Sequence, residues 1–101
     1  MTDVNRVQLA GFVEDAQALR STPAGLPVLK FKLRHISDLI EAGRKRRVEC
    51  VMTVVTLGEM AGTANEFIAN GKRVRVEGFL AKAGMKSDWP ELHAENIVII
   101  D

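Results

Sequence analysis

The residues of this chain that are best suited to chemistry are basic side chains at a regular spacing. Three of them occupy every second position of one segment: Lys30, Lys32 and Arg34. Four more follow as an uninterrupted run: Arg44, Lys45, Arg46 and Arg47. Alternate residues of a β-strand share one face, so the first three would form a cationic stripe. Such a stripe, together with the run, can bind the phosphates of a polyanion.

Charge is distributed unevenly along the chain, although the formal net charge is only +1. Residues 30–47 hold seven basic residues and two acidic ones, which gives this segment a charge of +5. The rest of the chain carries a charge of −4. We therefore expect one face of the folded protein to attract a polyanion. The alternative is that the cations form a solvated strand face, or a strand edge that resists aggregation.

A predicted loop at 81–90 holds three more candidate binding residues: Lys82, Lys86 and Trp89. The indole of Trp89 could stack on a base, stack on an arginine of a partner subunit, or hold the loop against the barrel. Other aromatic residues are few, with four phenylalanines and no tyrosine. Because each stacked base contributes about 1–3 kcal/mol, a chain with few rings should bind mainly through charge. Phe79 is expected on either the ligand face or a dimer interface.

The sequence shows no arrangement typical of catalysis, metal binding or a cofactor. No nucleophile is followed by a base and an orienting residue, and His35 and His93 lack partners at metal-ligand spacing. We predict a non-enzymatic protein. Cys50 lies in a strand rich in Val and Met and is predicted to be a small core residue. A single cysteine, no signal-like N-terminus and apolar runs too short for a bilayer predict a cytoplasmic protein.

The hydrophobic pattern predicts five strands and one helix. The strands cover residues 6–15, 28–35, 45–57, 72–80 and 92–100, and the helix covers 58–70. A polar connection is expected at 38–44. Gly11 and Gly78 interrupt two strands and predict the bends that close a small barrel.

This order of elements places a helix between the third and fourth strands, which is where an OB-fold carries one. The sequence therefore predicts an all-β, five-stranded Greek-key barrel of the OB type, formed as one domain over residues 1–101. In the second strand, Leu29, Phe31 and Leu33 point away from the basic stripe and are predicted to lie in the core.

Several segments resemble those of a known family. Residues 5–11 (NRVQLAG) and 70–78 (NGKRVRVEG) are similar to bacterial single-strand-binding proteins. A closer resemblance, to the primosomal replication protein N (PriB) family, runs through residues 22–27, 41–43, Cys50 and 92–101. It implies an OB-fold homodimer without enzymatic activity that binds single-stranded DNA. It also implies assembly with the primosomal helicase and other primosome proteins in replication restart.

The resemblance also bears on individual positions. Arg20 and Arg46 match basic positions of that family, whereas Arg44 and Glu49 stand where it carries aromatic residues that can stack on bases. Binding should accordingly depend on charge more than on stacking. Two other functions stay open: a protein–protein adaptor that binds DNA only weakly, and an OB-fold RNA-binding module.

Overall fold

The computed structural model describes residues 2–100, so Met1 and Asp101 of the predicted domain lie outside the described residues. Five long strands, a two-residue strand and one helix occur in the following order: β1 Val7–Glu14, β2 Arg20–Ser21, β3 Pro27–Glu41, β4 Arg44–Leu57, α1 Glu59–Asn65, β5 Arg73–Lys82 and β6 Pro90–Ile99. The five predicted strands are confirmed. The short β2 was not predicted, because two residues are too few to show a periodic pattern.

The strands close into a barrel through β1. The sheet has the order β1-β5-β6-β4-β3-β2, and β1 also pairs with β3. The first part of β1, Val7–Phe12, pairs with β5, whereas Phe12–Glu14 pairs with β3. At this change of partner a Cβ on Gly11 would overlap the carbonyl oxygen of Arg34, so only glycine allows the close approach. The predicted five-stranded OB barrel, with its helix between β4 and β5, is thus confirmed.

The core follows from the alternation along β3. Leu29, Phe31 and Leu33 are buried, as predicted, whereas Lys32 and Arg34 on the other face are exposed and Lys30 is half-buried. Val54, Val76 and other apolar residues of the neighbouring strands surround these three side chains. Full burial of such a side chain contributes about 1.5–3 kcal/mol, so one face of β3 supplies much of the stability of the barrel.

Helix α1 ends at Asn65, so the predicted end at residue 70 is wrong. Gly62 and Thr63 lower the helix propensity, and the chain turns at Glu66. Phe67 lies beyond the helix but still packs against the core, which explains why the helical spacing continued in the sequence. Within residues 2–100, no helix has the length and apolar character needed to cross a bilayer.

The predicted polar connection at 38–44 is also wrong. Strands β3 and β4 continue through it and are joined by a turn at Ala42 and Gly43 alone, both of which have positive φ. Such a two-residue turn preserves strand pairing up to its ends. Beyond His35 and Cys50 the hairpin pairs with no other strand of residues 2–100. We call this projecting part, residues 36–49, the arm.

The side chain of Asn5 extends the ladder between β1 and β5. Its Nδ2 donates a hydrogen bond to the carbonyl oxygen of Leu80 at 2.8 Å, and its Oδ1 accepts one from the Leu80 amide at 2.9 Å. We expect Asn5→Ala to lower the free energy of unfolding by about 1 kcal/mol, because both hydrogen bonds are lost at an exposed site. Urea titration followed by circular dichroism measures this. Asn96→Ala is the control, since the Asn96 side chain makes no hydrogen bond within the described residues; equal losses in both variants would contradict the assignment.

Candidate nucleic-acid interface

The basic stripe, Lys30, Lys32 and Arg34, lies on the outer face of the barrel. In the pairing of β3 with β4 these three residues stand opposite Val55, Thr53 and Val51. The intervening side chains of β3 fill the core, so the stripe points outward. The predicted division of β3 into an apolar face and a cationic face is confirmed.

Each cation of the stripe has a carboxylate beside it. Arg34 Nε donates a hydrogen bond to Glu14 Oε1 at 2.6 Å. Lys32 Nζ lies 3.5 Å from Asp15 Oδ2, and Lys30 Nζ lies 3.4 Å from Glu91 Oε2. The hydrogen bond and the charge of Glu14 raise the pKa of the Arg34 guanidinium, so this side chain stays charged.

These three carboxylates were missed by the analysis of sequence alone. Glu14 and Asp15 come from the end of β1 and its following residue, and Glu91 comes from β6. All three lie outside the segment 30–47 whose charge was counted, and the barrel brings them next to it. The pairing of β1 with β3, which places Glu14 opposite Lys32, could have indicated Glu14 and Asp15, whereas Glu91 depends on the pairing of β6 with β4.

The cations of the arm are divided between its two faces. Lys45 stands opposite Ile40, and Arg47 stands opposite Asp38, which places them on the same face as the stripe. Arg46 and Arg44 stand opposite Leu39 and Glu41, on the other face. The expected cationic face therefore includes Lys45 and Arg47 but not Arg44 and Arg46, because consecutive residues of a strand alternate.

Ion pairing differs within the arm as well. Arg46 forms an ion pair with Glu41, and Arg47 Nε lies 3.5 Å from Asp38 Oδ1. Arg44 and Lys45 have no carboxylate within 4 Å among residues 2–100. These two side chains at the tip of the arm are consequently the ones of the basic run that are free to meet an anion.

The remaining predicted residues lie toward the opposite end of the stripe from the arm. Arg20 stands opposite Val28, two positions from Lys30, and is exposed. Lys82 Nζ donates a hydrogen bond to the carbonyl oxygen of Met85 at 3.1 Å, and Lys86 is exposed in the same loop. Trp89 is 80% exposed, so the idea that it holds the loop against the barrel is wrong. Glu91, two residues after Trp89, contacts Lys30 and so brings the end of this loop beside the stripe.

Cys50 and Phe79 were also singled out in the sequence, and only Cys50 is placed differently by the structure. Cys50 is exposed, so its prediction as a core residue is wrong. It stands opposite His35 where the hairpin leaves the barrel, and no neighbouring strand covers it there. Phe79 lies on the outer face of β5 and stacks on His93 with ring centroids 5.3 Å apart.

A closed five-stranded barrel with cations on the outer face of β3 and β4 has the architecture of an OB-fold protein of the single-strand-binding type. A family model described as "Another single-strand binding protein family" matches residues 5–96. Among curated relatives, replication restart protein PriB of Bordetella pertussis is 39% identical over 92 residues, covering 91% of this chain and 85% of the relative. PriB of Nitrosomonas europaea is 36% identical over 96 residues, with 95% and 88% covered.

Solved structures with a similar fold include a PriB protein and a single-stranded DNA binding protein. PriB from Ralstonia solanacearum has a TM-score of 0.82 and 29% identity, covering 96% of this chain and 98% of that one. The single-stranded DNA binding protein from Thermus aquaticus has a TM-score of 0.79 and 29% identity, covering 97% of this chain and 50% of that one. The chain belongs to this single-strand-binding family and, within it, to the replication restart PriB proteins.

Proposed function

We propose that this protein binds single-stranded DNA on the outer face of β3 and β4 and acts as a non-catalytic accessory factor in replication restart. The observation that carries the proposal is the line of cations along one side of the hairpin, from Arg20 through the stripe to Lys45 and Arg47. Membership of a single-strand-binding family supports DNA as the polyanion. This role would place the protein in the cytoplasm, where bacterial DNA is replicated.

Binding would rest mainly on phosphate contacts. Trp89 is the most exposed aromatic ring within residues 2–100, and Phe79 is already stacked on His93. Few rings are therefore available to stack on bases. For single strands, each phosphate contact contributes about −0.7 to the slope of log affinity against log salt. The affinity of this protein should accordingly fall steeply as salt is raised.

The proposed partners are a second copy of the chain, the primosomal helicase and other primosome proteins. The edge of β1 supports the homodimer, since residues 7–9 pair with β5 on one side and with no strand of residues 2–100 on the other. An unpaired strand edge is a surface on which a second copy can add its own strand. The names of the relatives support replication restart as the process.

Replacing Lys30, Lys32 and Arg34 together by alanine tests the proposed DNA site. We expect binding of fluorescent oligo-dT to weaken about five- to tenfold at low salt and the salt slope to become shallower by up to about 2, since three phosphate contacts are lost. The loss in affinity is moderate because the three carboxylates partly neutralise the stripe already. Fluorescence anisotropy at several salt concentrations measures both quantities.

The same triple-alanine variant distinguishes DNA binding from the adaptor function. The adaptor function deserves this test because the carboxylates partly neutralise the stripe. Unchanged oligo-dT binding together with a lost interaction with the primosomal helicase would favour the adaptor. Competition between oligo-dT and oligo-U of equal length addresses the RNA-binding alternative. Tighter binding of oligo-U would contradict DNA as the preferred ligand.

A further inference from the structure

The stripe is enclosed by acidic side chains on both of its sides. Glu14 and Asp15 approach Arg34 and Lys32 from β1, while Glu91 approaches Lys30 from β6. The three carboxylates thus match the three cations one to one. The Lys30–Glu91 pair is the more enclosed, with side chains 28% and 12% exposed. The Lys32–Asp15 pair is open to solvent, with side chains 51% and 71% exposed.

A carboxylate and a phosphate make the same demand on a cation. Both present anionic oxygens to the N–H groups of lysine and arginine, and Arg34 already donates its Nε hydrogen to Glu14. The phosphates of a DNA strand can therefore contact the stripe fully only after displacing these carboxylates. The energy of each existing ion pair must be subtracted from the energy of the phosphate contact that replaces it.

We propose that Glu14, Asp15 and Glu91 occupy the DNA-binding cations of the free protein and thereby set its affinity for single-stranded DNA. This inference rests on the proposed function, since it concerns the same surface. The carboxylates compete with phosphate for the same cations, and each must move aside when single-stranded DNA lies along β3. Lys30, Lys32 and Arg34 then exchange one anion for another.

The distribution of pairing gives the order of contacts along the hairpin. Among residues 2–100, neither Arg44 and Lys45 at the tip of the arm nor Arg20 at the other end of the stripe has a carboxylate within 4 Å, so DNA meets free cations at both ends first. Contacts with the stripe follow, because they require the exchange of anions. Simple stabilisation explains the Lys32–Asp15 and Arg34–Glu14 pairs less well, since exposed ion pairs contribute little to folding.

The test removes the competitors and keeps the cations. The variant combines Glu14→Gln, Asp15→Asn and Glu91→Gln, substitutions that preserve side-chain shape and leave the core untouched. An exposed ion pair is worth up to a factor of about five, so we expect about tenfold tighter binding of oligo-dT at low salt. The thermal midpoint, measured by circular dichroism, should change by only a few degrees.

A matched control makes the same change in net charge elsewhere. Asp3→Asn, Glu59→Gln and Glu66→Gln neutralise three acidic residues that form no ion pair within residues 2–100. We expect this control to tighten binding less than about twofold, because long-range charge is largely screened by salt. Equal tightening in both triple variants would overturn the proposal.

The outcomes separate this inference from the proposed function. Suppose that the native protein binds oligo-dT and the carboxylate variant, Glu14→Gln/Asp15→Asn/Glu91→Gln, binds it equally or more weakly. The carboxylates then do not compete with DNA, and the proposed DNA site is unaffected. If neither protein binds oligo-dT in dilute buffer, the proposed function fails, and the inference fails with it. Binding of oligo-dT that appears only in the carboxylate variant would support the inference strongly.

Discussion

Replacing Gly78 by alanine will remove a large part of the folding stability of this protein. A Cβ at this position would overlap the carbonyl oxygen of His93, where β5 meets the register shift of β6. The clash involves backbone on both strands, so no side-chain rotation can relieve it. We expect a loss of more than about 4 kcal/mol, which is large for a domain whose total stability is typically about 5–15 kcal/mol.

Gly84→Ala is the matched control for this substitution. Gly84 lies in the loop between β5 and β6, and a Cβ there would meet no atom within 4 Å. Its free energy of unfolding should stay within about 0.5 kcal/mol of the native value. Urea unfolding followed by circular dichroism measures both variants, since the exposed Trp89 is a poor reporter of folding. A Gly78→Ala protein as stable as the Gly84→Ala protein would refute the close approach of the strands.

Sequence periodicity predicted the barrel because burial creates periodicity. Along β3, the alternation of Leu29, Phe31 and Leu33 with the stripe reflects a strand with one face in the core. The two glycines at the bends were also informative, because strands can approach so closely only where a side chain is absent. Strands of the barrel were therefore predicted with boundaries that differ by a few residues from those observed.

The arm could not be predicted by the same means. Residues 36–49 lie outside the barrel, so neither of their faces is buried and no alternation of apolar and polar residues results. Asp38 and Glu41 consequently indicated a loop, although both belong to the continuous strand β3. The prediction for Cys50 failed for a related reason: its neighbours in the sequence are apolar, but the hairpin has left the core by that position.

The candidate site was predicted in part. Its cations lie close together in the sequence, so they were found by composition alone. Their carboxylate partners are distant in the sequence and become neighbours only through the pairing of β1 with β3 and of β6 with β4. The charge of +5 on residues 30–47 therefore overstates the positive charge at the stripe, where the three carboxylates also lie. The cations at the tip of the arm, Arg44 and Lys45, are the ones of the basic run without an ion pair within residues 2–100.

Replacing Arg44 and Lys45 together by alanine will weaken oligo-dT binding more than replacing any two cations of the stripe. Neither side chain has a carboxylate partner within the described residues, so no ion pair offsets their contacts with phosphate. We expect the salt slope to become shallower by about 1.4 and the affinity at 50 mM salt to fall about 10- to 60-fold. The fold should be preserved, because the arm contributes nothing to the core.

Lys72→Ala with Arg73→Ala is the matched control, since these two residues are also adjacent, exposed, basic and without an ion pair in residues 2–100. Arg73 is the first residue of β5 and Lys72 precedes it; β1 separates both from β3, so they lie outside the arm. If net charge alone governs binding, both double variants will lose affinity equally. If the arm is a specific contact, the control will keep its salt slope and the Arg44/Lys45 variant will not. A flexible single strand can reach both faces of the tip, whereas a stiff duplex cannot bend so sharply, so the loss should be larger for oligo-dT than for duplex DNA.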